Sequence, residues 1–380
     1  MGHGLRVALL AGLLLAGCKG KPLPKADPDL SVPEVSRYVR ADVKDKRGWA
    51  ADVRLALRGA KQPVNPHTVC QVLAIVEQES GYAADPAVPG LGKVVKGELD
   101  AMFDKLGPAA GPVRAAVLDH VGPGGPQTFE QRLGSVRTEA DADRLYREIV
   151  DFHRAQHPGM ARAMDLLAPD LVERFNPITT AGSMQVSVRF AIEAGEDDGL
   201  SPTAVRDLLY TRAGGLKYGT ERLFEHDAPY DSPRYRFADF NAGLYASRNA
   251  ALQEQLSTLT GRKLALDGDF LLYDSDGDIR WKASNTLEAL YVFRATYAPE
   301  LSERQVRRDA RLEKSAAFDD TATVRALRKA VKARTGKTPT YARLPDVALE
   351  SPKMKSGRST KWFADNVQRR YDQCLVRRKR

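Results

Sequence analysis

One stretch constrains the fold more than any other: Asn65 to Gly81, NPHTVCQVLAIVEQESG. Asn65 before Pro66 is a helix start, with a capping side chain followed by a proline at the first helical position. Val69, Val72, Leu73, Ile75 and Val76 follow, and Gly81 breaks the helix. The run is too short to span a bilayer, so other elements must cover it. At about 100° per residue its apolar side chains centre on one face, with Glu79 roughly 50° from that centre and Glu77 roughly 110° away. Glu79 is therefore expected toward the buried side. Desolvation there disfavours the charged carboxylate and raises its pKa. A carboxylic acid still protonated near neutral pH is what general-acid cleavage of a glycosidic bond requires. The same pattern also suits a glutamate paired with an arginine at a helix end.

The remaining text is mostly helical. Val35, Tyr38, Val39 and Val43 have helical spacing, as do Leu145, Ile149 and Phe152 within 141–152. Val324, Leu327 and Val331 do likewise within 321–335, and Gly336 is a C-terminal stop. Strand-like text is scarce, Phe270 to Tyr273 being the best example. Gly122 to Pro126 reads as a loop. With 380 residues, 43% hydrophobic and 28% charged, the chain has a globular composition. The expectation is a mainly α protein.

The N-terminus speaks to compartment. Arg6 and the apolar Val7 to Leu15 make residues 1–17 a secretory signal. Leu15-Ala16-Gly17-Cys18 resembles a bacterial lipobox, which implies cleavage before Cys18 and its lipidation, palmitate included. Lys19 after the cysteine favours the outer membrane by resemblance to enterobacterial sorting. The proline-rich residues 18–33 read as a tether. In an oxidising compartment Cys70 and Cys374 either pair or remain two separate buried thiols. The net charge of +9 suits acidic envelope polymers such as peptidoglycan or lipopolysaccharide, and outside the cytoplasm no nucleic acid is expected as a partner.

Three short motifs share an order. Glu79-Ser80-Gly81-Tyr82-Ala83-Ala84-Asp85-Pro86 resembles the E-S-x-F-x-P segment of lytic transglycosylases and goose-type lysozymes. Ala181-Gly182-Ser183-Met184-Gln185-Val186 is similar to their G-L-M-Q motif. Asp239-Phe240-Asn241-Ala242-Gly243 is similar to their A-Y-N-A-G motif. The lipobox, E-S-G and G-S-M-Q-V together also resemble an uncharacterised family of proteobacterial outer-membrane lipoproteins. The first resemblance implies a lysozyme-like helical core over 34–258, with a helical insertion at about 90–178 and a basic helical extension over 259–380. It implies Glu79 as the single acid/base of a peptidoglycan lytic transglycosylase, a lyase needing no cofactor and no metal. Ser80 would fix the Glu79 carboxyl, and Met184, Gln185, Phe240 and Asn241 would line the glycan groove. Gly182 would let backbone approach the sugar.

Departures from that pattern keep a second reading open, a non-catalytic lipoprotein that binds glycan or another envelope polymer. About a hundred residues separate Glu79 from Gly182, Ser183 replaces a leucine, and Phe240 replaces a tyrosine. Asp239 would raise the Glu79 pKa further if the two faced each other. A third reading makes the C-terminal extension the working part of a surface or uptake lipoprotein. Residues 353–380 are basic, with Trp362, Phe363 and Tyr371 interleaved, as a packed amphipathic helix or a polymer-binding surface. Asp274, Asp276 and Asp278 read as a turn, because glycine is misplaced for a calcium loop and the twelfth-position glutamate is missing. His153 and His157 lack the partners of a zinc site, and Pro158 ends their helix.

Overall fold

The computed structural model describes residues 29–167, 171–274, 277–348 and 358–377. The signal segment, Cys18 and the tether up to residue 28 lie outside the described residues, as do Asp276 and residues 353–357 and 378–380. The protein is mainly α: among the described residues 18 α-helices accompany one two-stranded antiparallel sheet. No helix among them is long and apolar enough to cross a membrane.

The helix Pro66–Glu79 lies at the centre. Asn65 Oδ1 accepts from the backbone N–H of His67 and Thr68, and Pro66 takes the first turn. Val69, Cys70 and Val72 to Val76 are all fully buried. A helix buried around most of its circumference, with the His67, Gln71 and Gln78 stripe reaching solvent, needs neighbours on several sides. Lys46–Gly59, Arg212–Phe224, Pro233–Ala242 and Thr360–Arg377 supply them.

The last helix returns from the far end of the chain. Its Cys374 is disulfide-bonded to Cys70, across 304 residues. Phe363, Val367 and Tyr371 enter the same core, and the Tyr371 hydroxyl lies 2.7 Å from His67 Nδ1. The expected C-terminal extension is thus divided. Residues 360–377 pack into the first core, whereas Phe270, Leu290, Phe293, Phe318 and Leu327 build a second core on Ala246–Thr260.

A third core lies between Leu91–Asp104, Phe129–Ser135 and Glu139–Gln156, within the expected insertion. A fourth surrounds the short hairpin Thr180–Ala181 with Val186–Ser187. That hairpin had no strand signal in the sequence. Conversely, Phe270 to Tyr273 forms no strand: the Glu313 carboxylate takes the N–H groups of Phe270 and Leu271, leaving one bridge between Tyr273 and Ile279. The helix expected through Val43 stops at Ser36, though Tyr38 and Val39 remain buried. The Glu139–Gln156 and Ala322–Thr335 helices form as expected, the second ending at Gly336 with φ +69°.

Closing a loop of this length removes much unfolded-state entropy, so Cys70→Ser is expected to lower unfolding free energy by about 2–5 kcal/mol. Urea melts with and without reductant measure this; an unchanged midpoint on reduction would contradict a structural role for the bond.

Candidate functional site

Glu79 is the last residue of the Pro66–Glu79 helix, and Gly81 follows in the left-handed region. The residue is half-buried and has no hydrogen-bond or ion-pair partner among the described residues. Desolvation is the largest influence on its carboxyl and pushes its pKa up to about 7; Glu139 adds to the rise, while Arg370 and Arg358 oppose it.

Glu77 has the opposite environment. It is 8% exposed, and Arg377 grips both its carboxylate oxygens, one at 3.0 Å. The Tyr82 hydroxyl donates to it at 3.1 Å. The burial order expected from the helical wheel is therefore corrected: Glu77 is the more buried residue. The last helix covers the face that the apolar periodicity leaves to solvent, and it brings Arg377 with it. The helix-end Glu–Arg pair exists, but on Glu77.

The hairpin approaches through close backbone packing. Gly182 has φ +80°, and a Cβ there would meet the Leu209 carbonyl oxygen at 2.6 Å. Its lack of a side chain serves contact between protein segments. Gly219 leaves room for Met184, where a Cβ would lie 2.5 Å from the sulfur. Met184 is fully buried and belongs to the first core, so it offers no surface to a ligand. Gln185 is held at φ +51°, a left-handed conformation uncommon for a residue with a side chain. Its Nε2 donates to Glu139 at 2.7 Å, and its Oε1 accepts from the Thr180 hydroxyl at 3.1 Å. Gln185 thus reaches the surroundings of Glu79 through Glu139.

Other expected positions have different roles. The Ser80 hydroxyl donates to the Val76 carbonyl at 3.1 Å rather than to Glu79. Phe240 packs half-buried against the first core. Asn241 is exposed, and its Oδ1 accepts from Thr360 Oγ1 at 3.1 Å, at the start of the last helix. Asp239 is fully buried and takes the Tyr230 hydroxyl at 2.6 Å, His226 Nε2 at 3.0 Å and the Ser247 N–H at 2.7 Å. It is absent from the charges that act on Glu79.

At Glu77, rather than at Glu79, Arg40, Arg369, Arg370 and Arg377 line a cleft of about 330 Å³ with Asn366 and Gln373. Arg40 is paired with Asp42, and Arg377 with Glu77. Neither Arg369 nor Arg370 has an ion pair among the described residues; both contact Asn366. Burial lowers the Arg370 pKa, aided by Arg369 and Arg40, while Glu77 and Glu79 favour its charge. Glu139, Arg358 and Arg370 escaped sequence reasoning. Glu139 follows Thr138 and reads there as an ordinary first-turn acid; only the fold turns its side chain inward, to 1% exposure.

His153 Nε2 donates to the Val117 carbonyl at 2.9 Å, and His157 caps the helix end before Pro158. Asp274, Gly277 and Asp278 form a tight turn, with Asp278 N–H donating to Asp274 Oδ1 at 2.9 Å.

These features define a mainly α protein whose central helix ends on a desolvated carboxyl, Glu79, with an arginine-lined cleft around Glu77. The chain belongs to the family described as "Protein of unknown function (DUF1615)", whose profile matches residues 42–377. It is similar to "Uncharacterized protein YaiW" of Escherichia coli (strain K12), with 36% identity over 378 residues and 97% of each chain covered. No solved structure matches the chain.

The two glutamates are expected to respond oppositely to amidation. Glu77→Gln breaks a buried ion pair and should destabilise by about 3–5 kcal/mol. Glu79 holds a proton in the folded state that the unfolded chain releases above about 4.5, so its contribution falls as pH rises from there through about 7. Glu79→Gln should therefore stabilise by on the order of 2 kcal/mol at about pH 8 and by little at about pH 4. Denaturant melts of both variants across pH test this; a Glu79→Gln loss of stability at high pH would show that its carboxylate is satisfied.

Proposed function

We propose that this protein is a lipid-anchored cell-envelope enzyme that cleaves peptidoglycan glycan strands as a lytic transglycosylase, with Glu79 as its single acid/base. The observation that carries the reading is the Glu79 carboxyl itself: unpartnered among the described residues, and raised to about 7 chiefly by desolvation. Its setting supports the same reading. A helix ends on the glutamate, a hairpin carries Gly182 to Val186, and a later helix ends at Asn241-Ala242.

The chemistry needs one group in two protonation states. Protonated Glu79 gives its proton to the glycosidic oxygen as that bond to C1 of the muramyl residue breaks. The resulting carboxylate then takes the proton of the same sugar's 6-hydroxyl, whose oxygen bonds to C1 and closes a 1,6-anhydro ring. No water is consumed, and the proton returns to Glu79. Gln185, turned by its strained backbone and held by Glu139, would orient the N-acetylated sugar indirectly or after exchanging its partners. Asn241 offers an amide at the surface.

The arginine cleft favours a second reading, a non-catalytic lipoprotein that grips an acidic envelope polymer. Two guanidinium groups, those of Arg369 and Arg370, without ion pairs among the described residues suit carboxylates of peptidoglycan stem peptides or phosphates of lipopolysaccharide. Outer-membrane anchoring through Cys18 belongs to both readings.

Digestion of purified sacculi by protein beginning after Cys18, read by mass spectrometry, separates them. The enzyme reading expects anhydro-muramyl products from the wild type, none from Glu79→Gln, and kcat/KM falling as pH rises through about 7. Sacculus binding without products from folded protein, weakened by Arg369→Ala with Arg370→Ala, would instead establish the binder.

A further inference from the structure

An apolar cavity lies away from Glu79, in the third core. It has a volume of about 530 Å³. Leu99, Phe103, Leu118 and Ile149 line it from the Leu91–Asp104, Ala110–Leu118 and Glu139–Gln156 helices. Met160 and Met164 line it from Pro158–Leu167, a helix of ten residues of which none is buried. That helix leaves Met160 64% and Met164 37% exposed. An amphipathic helix that buries nothing has not found its partner within the fold. Its methionines present flexible, polarizable side chains suited to an adaptable apolar surface.

The two charged side chains that line the cavity are both cationic. Lys105 and Arg154 line it with His153 and His157, and no aspartate or glutamate does. Arg154 pairs with the exposed Asp165 at 2.5 Å, whereas Lys105 has no ion pair among the described residues. Taking a methylene as roughly the 30 Å³ share of a water molecule, the volume holds at least about 18 such units. That is room for a long alkyl chain.

We infer that this cavity binds a single long-chain fatty acid, its alkyl chain between the Glu139–Gln156 and Pro158–Leu167 helices and its carboxylate at Lys105 and Arg154. The site is distinct from the Glu79 site and does not depend on what Glu79 does. Volume fits one chain, lining fits hydrocarbon, and the cationic rim fits a carboxylate. The ligand would cover the apolar side of a helix that the protein leaves uncovered.

The test uses the purified full-length chain in nanodiscs and a diazirine-bearing hexadecanoic acid as photoprobe. Saturable 1:1 labelling is expected, mapping by peptide mass spectrometry to segments 99–118 and 146–164 and competed by palmitate. Hexadecanol, which lacks the carboxylate, should compete about tenfold less well, and Lys105→Ala with Arg154→Ala should remove that difference. Met164→Glu and Val113→Glu place a charge in the cavity at positions already exposed, and each should weaken labelling at least about tenfold with an unchanged melt. Either variant alone suffices if the other misfolds. Unsaturable labelling, labelling outside those segments, or labelling unaffected by a folded charge variant would overturn the proposal. So would labelling by a phosphatidylglycerol photoprobe with none by the free acid.

Discussion

The structure depends on the seam between the Pro66–Glu79 helix and the last helix. A helix with so broad an apolar surface cannot stand in water, and the element that covers much of it lies about 300 residues later in the chain. The disulfide between Cys70 and Cys374 fixes that contact, and the Glu77–Arg377 pair adds a second tie about one turn further along the last helix. Tyr38 is drawn into the same seam, its carbonyl accepting from Arg377 at 3.0 Å. The chain between the two helices builds three further cores, yet its ends are clamped together at this one place.

The seam also separates two carboxylates that sit two residues apart. A buried carboxylate is tolerated when paired and hydrogen-bonded, and its charged form is disfavoured when it is not. Glu77 has an arginine and a tyrosine; Glu79 has only more distant charges. Glu313 makes the comparison sharper. Burial pushes its pKa up to about 7 as well, yet two backbone N–H groups and the Tyr273 hydroxyl hold its oxygens. Glu313 ties a loop into the second core, and its raised pKa is a by-product of depth. Glu79 differs in having its carboxyl left without such ties.

The hairpin shows how glycine positions serve packing before they serve a ligand. Gly182 and Gly219 let the turn and the Arg212–Phe224 helix come within backbone contact, which buries Met184 and leaves Gln185 facing Glu139. Residues that resemble a sugar-binding motif are therefore partly framework. The amide of Gln185 is held by the Glu139 carboxylate and the Thr180 hydroxyl.

Much of the fold was legible in local chemistry. Asn65-Pro66 and Gly81 bounded the central helix, Thr321 and Gly336 bounded a later one, and Pro158 ended another, because caps and breakers act over a few residues. The mainly α class followed from the same periodicity. Pairing was not legible: Cys70 and Cys374 were equally compatible with two buried thiols until the fold set their Cα atoms 5.6 Å apart. The helical wheel placed Glu79 inside and Glu77 outside, since periodicity records the average apolar direction and knows nothing of a helix that covers the polar side. Glu139, Arg358 and Arg370 were equally silent, being ordinary surface residue types until distant segments met. Thus the sequence by itself determined the ends of the helices that carry clear caps and breakers and which carboxylates sit at the critical turn. Only the tertiary structure decided which of them is neutralised and which is left desolvated, because electrostatic environment comes from contacts between residues far apart along the chain.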